Sequence, residues 1–351
     1  MAGSNKTGWI ATAVVLGAVG LGIGFPFYCG WHAANYGEAD EVKRVRFLRD
    51  GGDVRLLSAE CTEGDSTTCR LSLLDAASGQ RLARLVRDDR EPACQPAVDG
   101  RLWCRDDVLG IYLLDSRSLA VVADQAVLLG RSPLLGSGLS GFEPVLERAG
   151  RGLVVGSNAG LKVRLDPTTL EASQVAEPAR EEALELDDDG GGEEASLEQG
   201  GFRYYFEGDA STDRLRLKRY DLERGEEAPL PVAAEAAGAA AEAGADTFLK
   251  ASFVRLVEGP ARAPVALAGP PGFLVVHASS LADEEATRLL SRVDERGRIA
   301  WTAELPRGRL LAAERLEAAG EERMVLVVGD PGNSALSFRL QDGARRWLTR
   351  L

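Results

Sequence analysis

Short runs of alternating apolar and polar residues dominate the chain from residue 43 onward. Two of them, CRLSLLD at 69–75 and LGIYLLD at 109–115, carry apolar side chains at alternate positions and end in aspartate. Because successive side chains of a β-strand point to opposite faces, Leu71 and Leu73 can be buried together on one face. Turn sequences follow after runs of this length, which leaves little room for long helices. The pattern therefore predicts an all-β protein.

The predicted strands belong to a unit that recurs along the chain. Each unit contains an alternating strand that ends in aspartate, a short turn and a second strand. Its instances cover residues 69–86, 109–124, 161–175, 215–230, 289–305 and 336–351. With the apolar strands found upstream of each instance, a unit of about four strands and roughly 40–50 residues is typical of a β-propeller. We predict six four-stranded blades, and the 73 residues between Asp221 and Asp294 leave room for a seventh.

The turns between these strands have a simple chemistry. An aspartate at the end of a strand can accept hydrogen bonds from backbone N–H groups two residues on, and glycine supplies the positive φ of a tight turn. The predicted repeat-turn residues, with two tryptophans that follow the turns, are Asp75, Gly79, Asp115, Asp166, Asp221, Gly225, Asp294, Gly297, Trp301, Asp342, Gly343 and Trp347. We expect all of them to have structural roles.

Three of the turns carry a family resemblance. The segments LLDAASGQRL (73–82), RVDERGRIAW (292–301) and RLQDGARRW (339–347) resemble the repeat of PQQ-like, quinoprotein-type β-propellers, with Trp301 and Trp347 at the family's docking-tryptophan position. That family contains quinone-dependent dehydrogenases and non-enzymatic scaffolds, such as the propeller lipoprotein of outer-membrane protein assembly. The dehydrogenases typically have eight blades, a vicinal disulfide and a calcium-bound quinone. This chain has no adjacent cysteines and is too short for eight such blades, so the resemblance implies the fold and no cofactor.

The N-terminal region predicts a membrane anchor. Residues 9–31 carry no charge over 23 positions, and about 20 helical residues suffice to cross a bilayer core. Aromatic residues stand at both ends of this segment, Lys6 precedes it, and acidic residues follow it. Because basic residues are retained on the cytoplasmic side, we predict the N-terminus inside and the remainder of the chain outside the cytoplasm.

These features predict a single-pass protein of the inner (plasma) membrane with a periplasmic propeller. The predicted regions are a cytoplasmic tail at 1–8, a transmembrane signal-anchor at 9–31, a juxtamembrane linker at 32–42 and the propeller domain at 43–351, with inserts at 177–196 and 231–247. A cleaved signal peptide is the alternative to the anchor. It is disfavoured because the small residues of a cleavage site are missing after Phe25.

The two inserts differ in composition. The first is acidic, and Asp187 to Asp189 at the start of the loop 187–194 offer the hard oxygen ligands that Ca²⁺ prefers. The register of a calcium-binding loop is absent, so a solvated loop at the propeller rim is the main interpretation. The second insert is rich in alanine and is predicted as a short helix or a disordered stretch.

Four cysteines lie within a 44-residue stretch. Cys61 and Cys69 flank a polar turn sequence, and Cys94 and Cys104 flank an Asp-Gly hairpin signal. Cysteines on the facing strands of a hairpin can lie at bridging distance, so we predict the disulfides Cys61–Cys69 and Cys94–Cys104. Two other pairings and four reduced, buried cysteines remain open. Disulfides agree with an oxidising compartment.

Charge and composition exclude several functions. The chain has 54 acidic and 41 basic residues and a formal net charge of −13, which argues against nucleic-acid binding. Its two histidines cannot form a multi-histidine metal centre. His277 lies in an apolar strand, and the sequence has no G-x-S-x-G elbow, so a serine hydrolase is not predicted. We expect no catalytic, cofactor-binding or metal-binding residues.

One cluster combines tyrosine and arginine, the residue types that dominate interface hot spots. Its members are Arg203, Tyr204, Tyr205, Arg214, Arg216, Arg219 and Tyr220. The alternative interpretation is an ordinary outward-facing blade hairpin. We predict a membrane-tethered scaffold that binds another envelope protein without catalysis. A quinoprotein-like or carbohydrate-active enzyme with its site at the propeller axis is the alternative function.

Overall fold

The chain folds almost entirely into antiparallel β-sheets. The computed structural model describes residues 41–62, 68–88, 92–106, 110–136, 138–139, 145–146, 152–158, 160–175, 196–209, 213–228, 230, 247–256, 264–268, 271–280, 286–331 and 333–351. These residues form 25 strands and one α-helix. The predicted all-β class is therefore confirmed for this part of the chain.

The first three sheets each contain four strands that pair in chain order. Sheets 1, 2 and 3 follow one another along the sequence. Helix α1 (Gln125–Arg131) and a 3₁₀ turn (Pro133–Leu135) lie between sheet 2 and sheet 3. The strands are β1 (Glu41–Asp50), β2 (Asp53–Thr62), β3 (Thr68–Asp75) and β4 (Arg81–Asp88) in sheet 1, β5 (Ala93–Pro96), β6 (Arg101–Asp106), β7 (Gly110–Asp115) and β8 (Val121–Ala123) in sheet 2, and β9 (Val145–Leu146), β10 (Leu153–Gly156), β11 (Lys162–Leu165) and β12 (Ala172–Gln174) in sheet 3.

Sheet 4 has nine strands and sheet 5 has four. The strands are β13 (Leu197–Gln199), β14 (Phe202–Asp209), β15 (Arg214–Asp221), β16 (Glu226–Ala228), β17 (Thr247–Phe253), β18 (Ala266–Ala268), β19 (Pro271–Ala278), β20 (Arg288–Asp294) and β21 (Ile299–Leu305) in sheet 4, and β22 (Gly308–Ala318), β23 (Glu321–Pro331), β24 (Ser334–Arg339) and β25 (Arg345–Arg350) in sheet 5. Sheet 4 contains two four-stranded groups, β13–β16 and β18–β21. Strand β17 joins them because it pairs with both β15 and β19.

Successive side chains on one strand enter two different hydrophobic cores. On β3, Leu73 packs with residues of sheet 2, while Leu74 packs with residues of sheet 5. On β19, Phe273 packs with the first group of sheet 4, while Leu274 packs with sheet 5. Burial of one such side chain contributes about 1.5–3 kcal/mol. Each of these sheets is therefore stabilised from both faces.

Buried cores connect neighbouring sheets, and one of them joins the last sheet to the first. Within the described part of the chain, buried clusters lie between sheets 1 and 2, between sheets 2 and 3, between the two groups of sheet 4, and between its second group and sheet 5. A further cluster joins sheet 5 to sheet 1, with Phe47 and Leu56 against Val325 and Val327. Contact between the last sheet and the first is the arrangement of a β-propeller.

Strand-ending aspartates close the turns of these sheets. The Oδ1 atoms of Asp75, Asp115, Asp166, Asp221, Asp294 and Asp342 each accept a hydrogen bond of 2.6–3.1 Å from a backbone N–H group two to four residues on. Gly79, Gly225, Gly297 and Gly343 have φ between 72° and 80°. Leu119 and Leu170 occupy the same turn position with positive φ in sheets 2 and 3.

The turn of sheet 5 differs from the sequence-based alignment of the units. The position that ends its strand belongs to Arg339, whose carbonyl accepts from Gly343 and whose N–H donates to Ala344, at 2.9 Å each. The same pair of bonds closes the turn after Asp75. Asp342 instead lies inside the turn, where hydrogen bonding to Arg339 lowers its pKa to about 2.

Bulky side chains dock on the turn glycines of the next sheet. Trp301, on the last strand of sheet 4, covers Gly343 of sheet 5, and its Nε1 donates to the Leu340 carbonyl at 3.0 Å. Trp347, on the last strand of sheet 5, covers Gly79 of sheet 1. One kind of contact thus links sheet 4 to sheet 5 and sheet 5 to sheet 1.

Both predicted disulfides are confirmed. Cys61 and Cys69 are directly opposed on β2 and β3, and Cys94 and Cys104 are directly opposed on β5 and β6. Each bond therefore joins neighbouring strands of one sheet.

Several predicted regions lie outside the described residues. They include the span at 9–31, the acidic loop 187–194 and nearly all of the two inserts. Within the described residues, no helix has the length and apolar character needed to cross a membrane.

The docking of Trp347 on Gly79 can be tested by adding one methyl group. A Cβ atom at Gly79 would lie 2.5 Å from the Trp347 ring, whereas a Cβ atom at Gly320 meets nothing within 4 Å. Both glycines have a φ of 73°. We expect Gly320→Ala to cost about 1–2 kcal/mol from backbone strain alone, and Gly79→Ala to cost about 1–3 kcal/mol more from overpacking. Urea unfolding measures both, and equal losses would contradict the docking contact.

Candidate functional site

The tyrosine–arginine cluster lies on the hairpin of β14 and β15. The strands pair from Phe202 opposite Asp221 to Asp209 opposite Arg214. Because side chains alternate along each strand, this register gives the hairpin two faces with different environments. One face enters the hydrophobic core within sheet 4, and the other carries mostly charged residues. The residues of the predicted tyrosine–arginine cluster are therefore divided between the two faces of the hairpin.

Tyr204 and Arg219 lie on the core face, opposite each other. Tyr204 is fully buried, and its hydroxyl donates to the Glu295 carbonyl at 2.9 Å. The Arg219 guanidinium donates to the same carbonyl at 3.4 Å, and its Cζ lies 4.3 Å from the centroid of the Phe202 ring. Burial raises the pKa of Tyr204, which keeps its hydroxyl protonated as the donor. These two residues attach the hairpin to the turn after β20.

The opposite side of the hairpin is called the hairpin face below. Its residues are Glu198, Arg203, Tyr205, Glu207, Arg214, Arg216, Lys218, Tyr220 and Glu227. Five of the seven residues of the predicted cluster are in this set: Arg203, Tyr205, Arg214, Arg216 and Tyr220. The structure brings these five together on one surface.

Ion pairs order one half of the hairpin face. Arg203 binds Glu198 at 2.6 Å. Lys218 lies 3.3 Å from Glu207 and 3.4 Å from Glu227. The hydrogen bonds that Lys218 donates to these carboxylates raise the pKa of its ammonium group. The Tyr205 hydroxyl also donates to Glu227 at 2.9 Å, so the ring of this tyrosine is held in place.

Arg214 and Arg216 form the other half of the hairpin face. Both side chains are exposed and lie on the same side of β15, since they are two residues apart. Among the residues whose side chains the structure describes, no carboxylate forms an ion pair with either arginine. Their guanidinium groups can therefore form bidentate contacts with carboxylates of another molecule.

Sequence reasoning missed Lys218, Glu227 and Glu198 as members of this surface. The two-residue period of a strand would have separated Tyr204 and Arg219 from the other cluster members. It would also have added Lys218, which lies between Arg216 and Tyr220 in that period. Glu227 comes from β16, and only the strand register shows its position.

His277 takes part in a local hydrogen-bond chain. Its Nε2 lies 2.8 Å from the Ser291 hydroxyl, which lies 2.7 Å from the Thr302 hydroxyl. Burial lowers the pKa of His277, which favours the neutral ring. Ser279 instead accepts a hydrogen bond from the Thr287 backbone N–H at 3.0 Å. His277 and Ser279 therefore do not form a nucleophile–base pair.

A buried charge network lies inside sheet 1. Glu60 and Arg70 are 0% and 1% exposed, and Arg70 Nε donates to Glu60 at 2.9 Å. The Ser58 hydroxyl donates to the same carboxylate at 2.5 Å. Arg84 lies 3.9 Å away, and burial lowers its pKa to about 10. One carboxylate is thus shared by two neighbouring cations.

Removal of this carboxylate tests its structural role. Glu60→Gln leaves Arg70 buried without its counter-charge, so we expect a loss of about 3–5 kcal/mol in the free energy of unfolding. The double variant Glu60→Gln/Arg70→Met removes both charges and should recover most of that loss. Urea unfolding followed by tryptophan fluorescence measures both variants. No recovery in the double variant would contradict the charge argument.

Within the described part of the chain, no group of three or more His, Cys, Asp or Glu side chains is arranged to hold a metal ion. The calcium alternative at Asp187 to Asp189 lies outside those residues and stays untested.

Comparisons with known proteins add little to this picture. The sequence matches no protein-family model, and it matches no curated protein. Similar solved structures include BamB from Moraxella catarrhalis, at 15% sequence identity over 87% of this chain and 75% of that chain, with a TM-score of 0.23. Kuenenia stuttgartiensis hydrazine synthase (11% identity, 86% and 77% coverage) and the computationally designed Ika8 protein (11% identity, 89% and 88% coverage) both have TM-scores of 0.28. Because these TM-scores are low, the architecture rests on the sheets and cores described above.

Proposed function

We propose that this chain is a six-bladed β-propeller, tethered to the plasma membrane by residues 9–31, that binds another protein of the cell envelope as a scaffold. The hairpin face is the observation that carries the proposal. It presents ordered tyrosine and two available arginines, Arg214 and Arg216, on a rigid strand pair. Tyrosine and arginine supply most hot spots in protein interfaces, because both bury a large contact area with little loss of entropy per hydrogen bond.

The blade number is part of the proposal. Sheets 1, 2, 3 and 5 each supply one four-stranded blade, and the groups β13–β16 and β18–β21 supply two more. The turns after Asp75, Asp115, Asp166, Asp221, Asp294 and Arg339 occur once in each of these six groups. Strand β17 then acts as a link between the fourth and fifth blades.

The compartment is also proposed. The disulfides Cys61–Cys69 and Cys94–Cys104 support an oxidising environment, such as the periplasm. The uncharged span and the basic residue before it support an N-terminus in the cytoplasm. The propeller would then meet its partner at the outer surface of the inner membrane.

The chemistry of the hairpin face defines the kind of partner. Glu198, Glu207 and Glu227 are engaged with Arg203 and Lys218. These three carboxylates exceed their two cations by one charge, so with Arg214 and Arg216 the residues of the hairpin face sum to a net charge of +1. A partner with an acidic surface patch fits this arrangement, and complementary charge would also speed its association.

Reversal of the two arginines tests the proposed interface. We expect full-length protein, purified from solubilised membranes, to retain a stoichiometric partner, and Arg214→Glu/Arg216→Glu to lose it. Arg296→Glu/Arg345→Glu is the matched control, because it makes the same charge change at exposed positions in other turns and strands. A loss of at least about tenfold in affinity is expected for the hairpin variant. Equal recovery of the partner by both variants would rule out the hairpin face.

The proposed topology has its own test. Protease added to spheroplasts should digest most of the chain, because residues 32–351 would lie outside the cytoplasm. Peptide mapping without reductant should recover the 61–69 and 94–104 linked peptides from the same cells. Protection of the full chain from protease would overturn the orientation.

A further inference from the structure

A cavity of about 440 Å³ lies between the second blade-like group of sheet 4 and sheet 5. Its walls come from the end of β17 and the residues after it, from β19 and β20, and from the start of β22. The volume falls in the range of small-molecule pockets, which is about 300–1,000 Å³. The hairpin face contributes none of the lining residues, so this site is separate from the proposed interface.

Three arginines line the cavity. Arg255 follows β17, Arg288 begins β20, and Arg309 lies at the start of β22. They come from three separate segments, so their convergence depends on the tertiary fold. No acidic side chain is present among the described residues that line the cavity. Guanidinium groups in such a lining favour an oxyanion, which can accept several charge-assisted hydrogen bonds.

The remaining walls are mostly apolar. Leu256, Val276 and Leu310 line the cavity, and all three belong to or pack against the hydrophobic core between sheets 4 and 5. An ion without an apolar part would contact only the arginines of this cavity. A ligand with an anionic end and an apolar chain would contact both sides.

We propose that this arginine cavity binds a phosphate or carboxylate group that carries an apolar chain. Arg255 and Arg288 contact the oxyanion, and Leu256 and Leu310 contact the chain. The lining supplies cations, apolar groups and the Ser252 hydroxyl, which suit binding. The ligand is either a soluble amphiphile or the head group of a membrane lipid, since both offer this chemistry.

The test uses full-length protein in phosphatidylcholine nanodiscs and isothermal titration calorimetry with octyl phosphate. We expect saturable binding by the unmodified protein and at least about tenfold weaker binding by Arg255→Ala/Arg288→Ala, since each such contact is charge-assisted. Arg255→Lys/Arg288→Lys keeps the charge and should recover part of the affinity. Arg296→Ala is the matched control, because Arg296 is exposed just beyond the opposite end of β20.

Two further ligands separate the parts of the proposal. Inorganic phosphate and 1-octanol should each bind more weakly than octyl phosphate, and equal binding of inorganic phosphate would overturn the apolar half of the site. Addition of phosphatidic acid to the nanodiscs should reduce octyl phosphate binding if the ligand is a lipid, and leave it unchanged if the ligand is soluble. Equal affinity of the unmodified protein and Arg255→Ala/Arg288→Ala would overturn the site.

Loss of octyl phosphate binding is distinguishable from loss of the proposed interface. Arg255→Ala/Arg288→Ala should still capture the protein partner, because the cavity and the hairpin face share no residues. Arg214→Glu/Arg216→Glu should still bind octyl phosphate for the same reason.

Discussion

The structure depends on central strands that have two apolar faces, such as β3 and β19. A sheet with one apolar face is complete when a single neighbour covers it. A sheet such as sheet 1, in which Leu73 and Leu74 point to opposite sides, needs a neighbour on each side. A row of such sheets always leaves two faces exposed to water, whereas a ring leaves none. The hydrophobic effect therefore favours closure between sheet 5 and sheet 1.

The alternation of side chains along a strand also determines which residues can contact another molecule. Tyr204 and Arg219 face the core and hold the hairpin to the turn after β20. Their neighbours Tyr205 and Arg216 face away from that core because they are one position out of phase. The buried side of the hairpin therefore supports its exposed side.

Much of the fold could be predicted from local sequence. The turns at Asp75 and its counterparts can be predicted because the aspartate bonds a backbone N–H only a few residues away. The disulfide Cys61–Cys69 can be predicted because its cysteines are close in sequence. Features that depend on register or on distant segments could not be predicted. Arg339 replaces the expected aspartate because the backbone bonds of the turn, and not the side chain, define the position. The arginine cavity joins residues 255, 288 and 309, and no local pattern connects them.

The docking of Trp347 on Gly79 has a consequence for the order of folding. The Thr349 hydroxyl donates to the Gly79 carbonyl at 2.8 Å across 270 positions of sequence. During synthesis, one apolar face of sheet 1 therefore stays uncovered until the strands of sheet 5 that contact it have been made. Contacts of such long sequence separation form slowly, because a large loop must close first. A nascent chain of this kind needs protection from aggregation until sheet 5 covers that face.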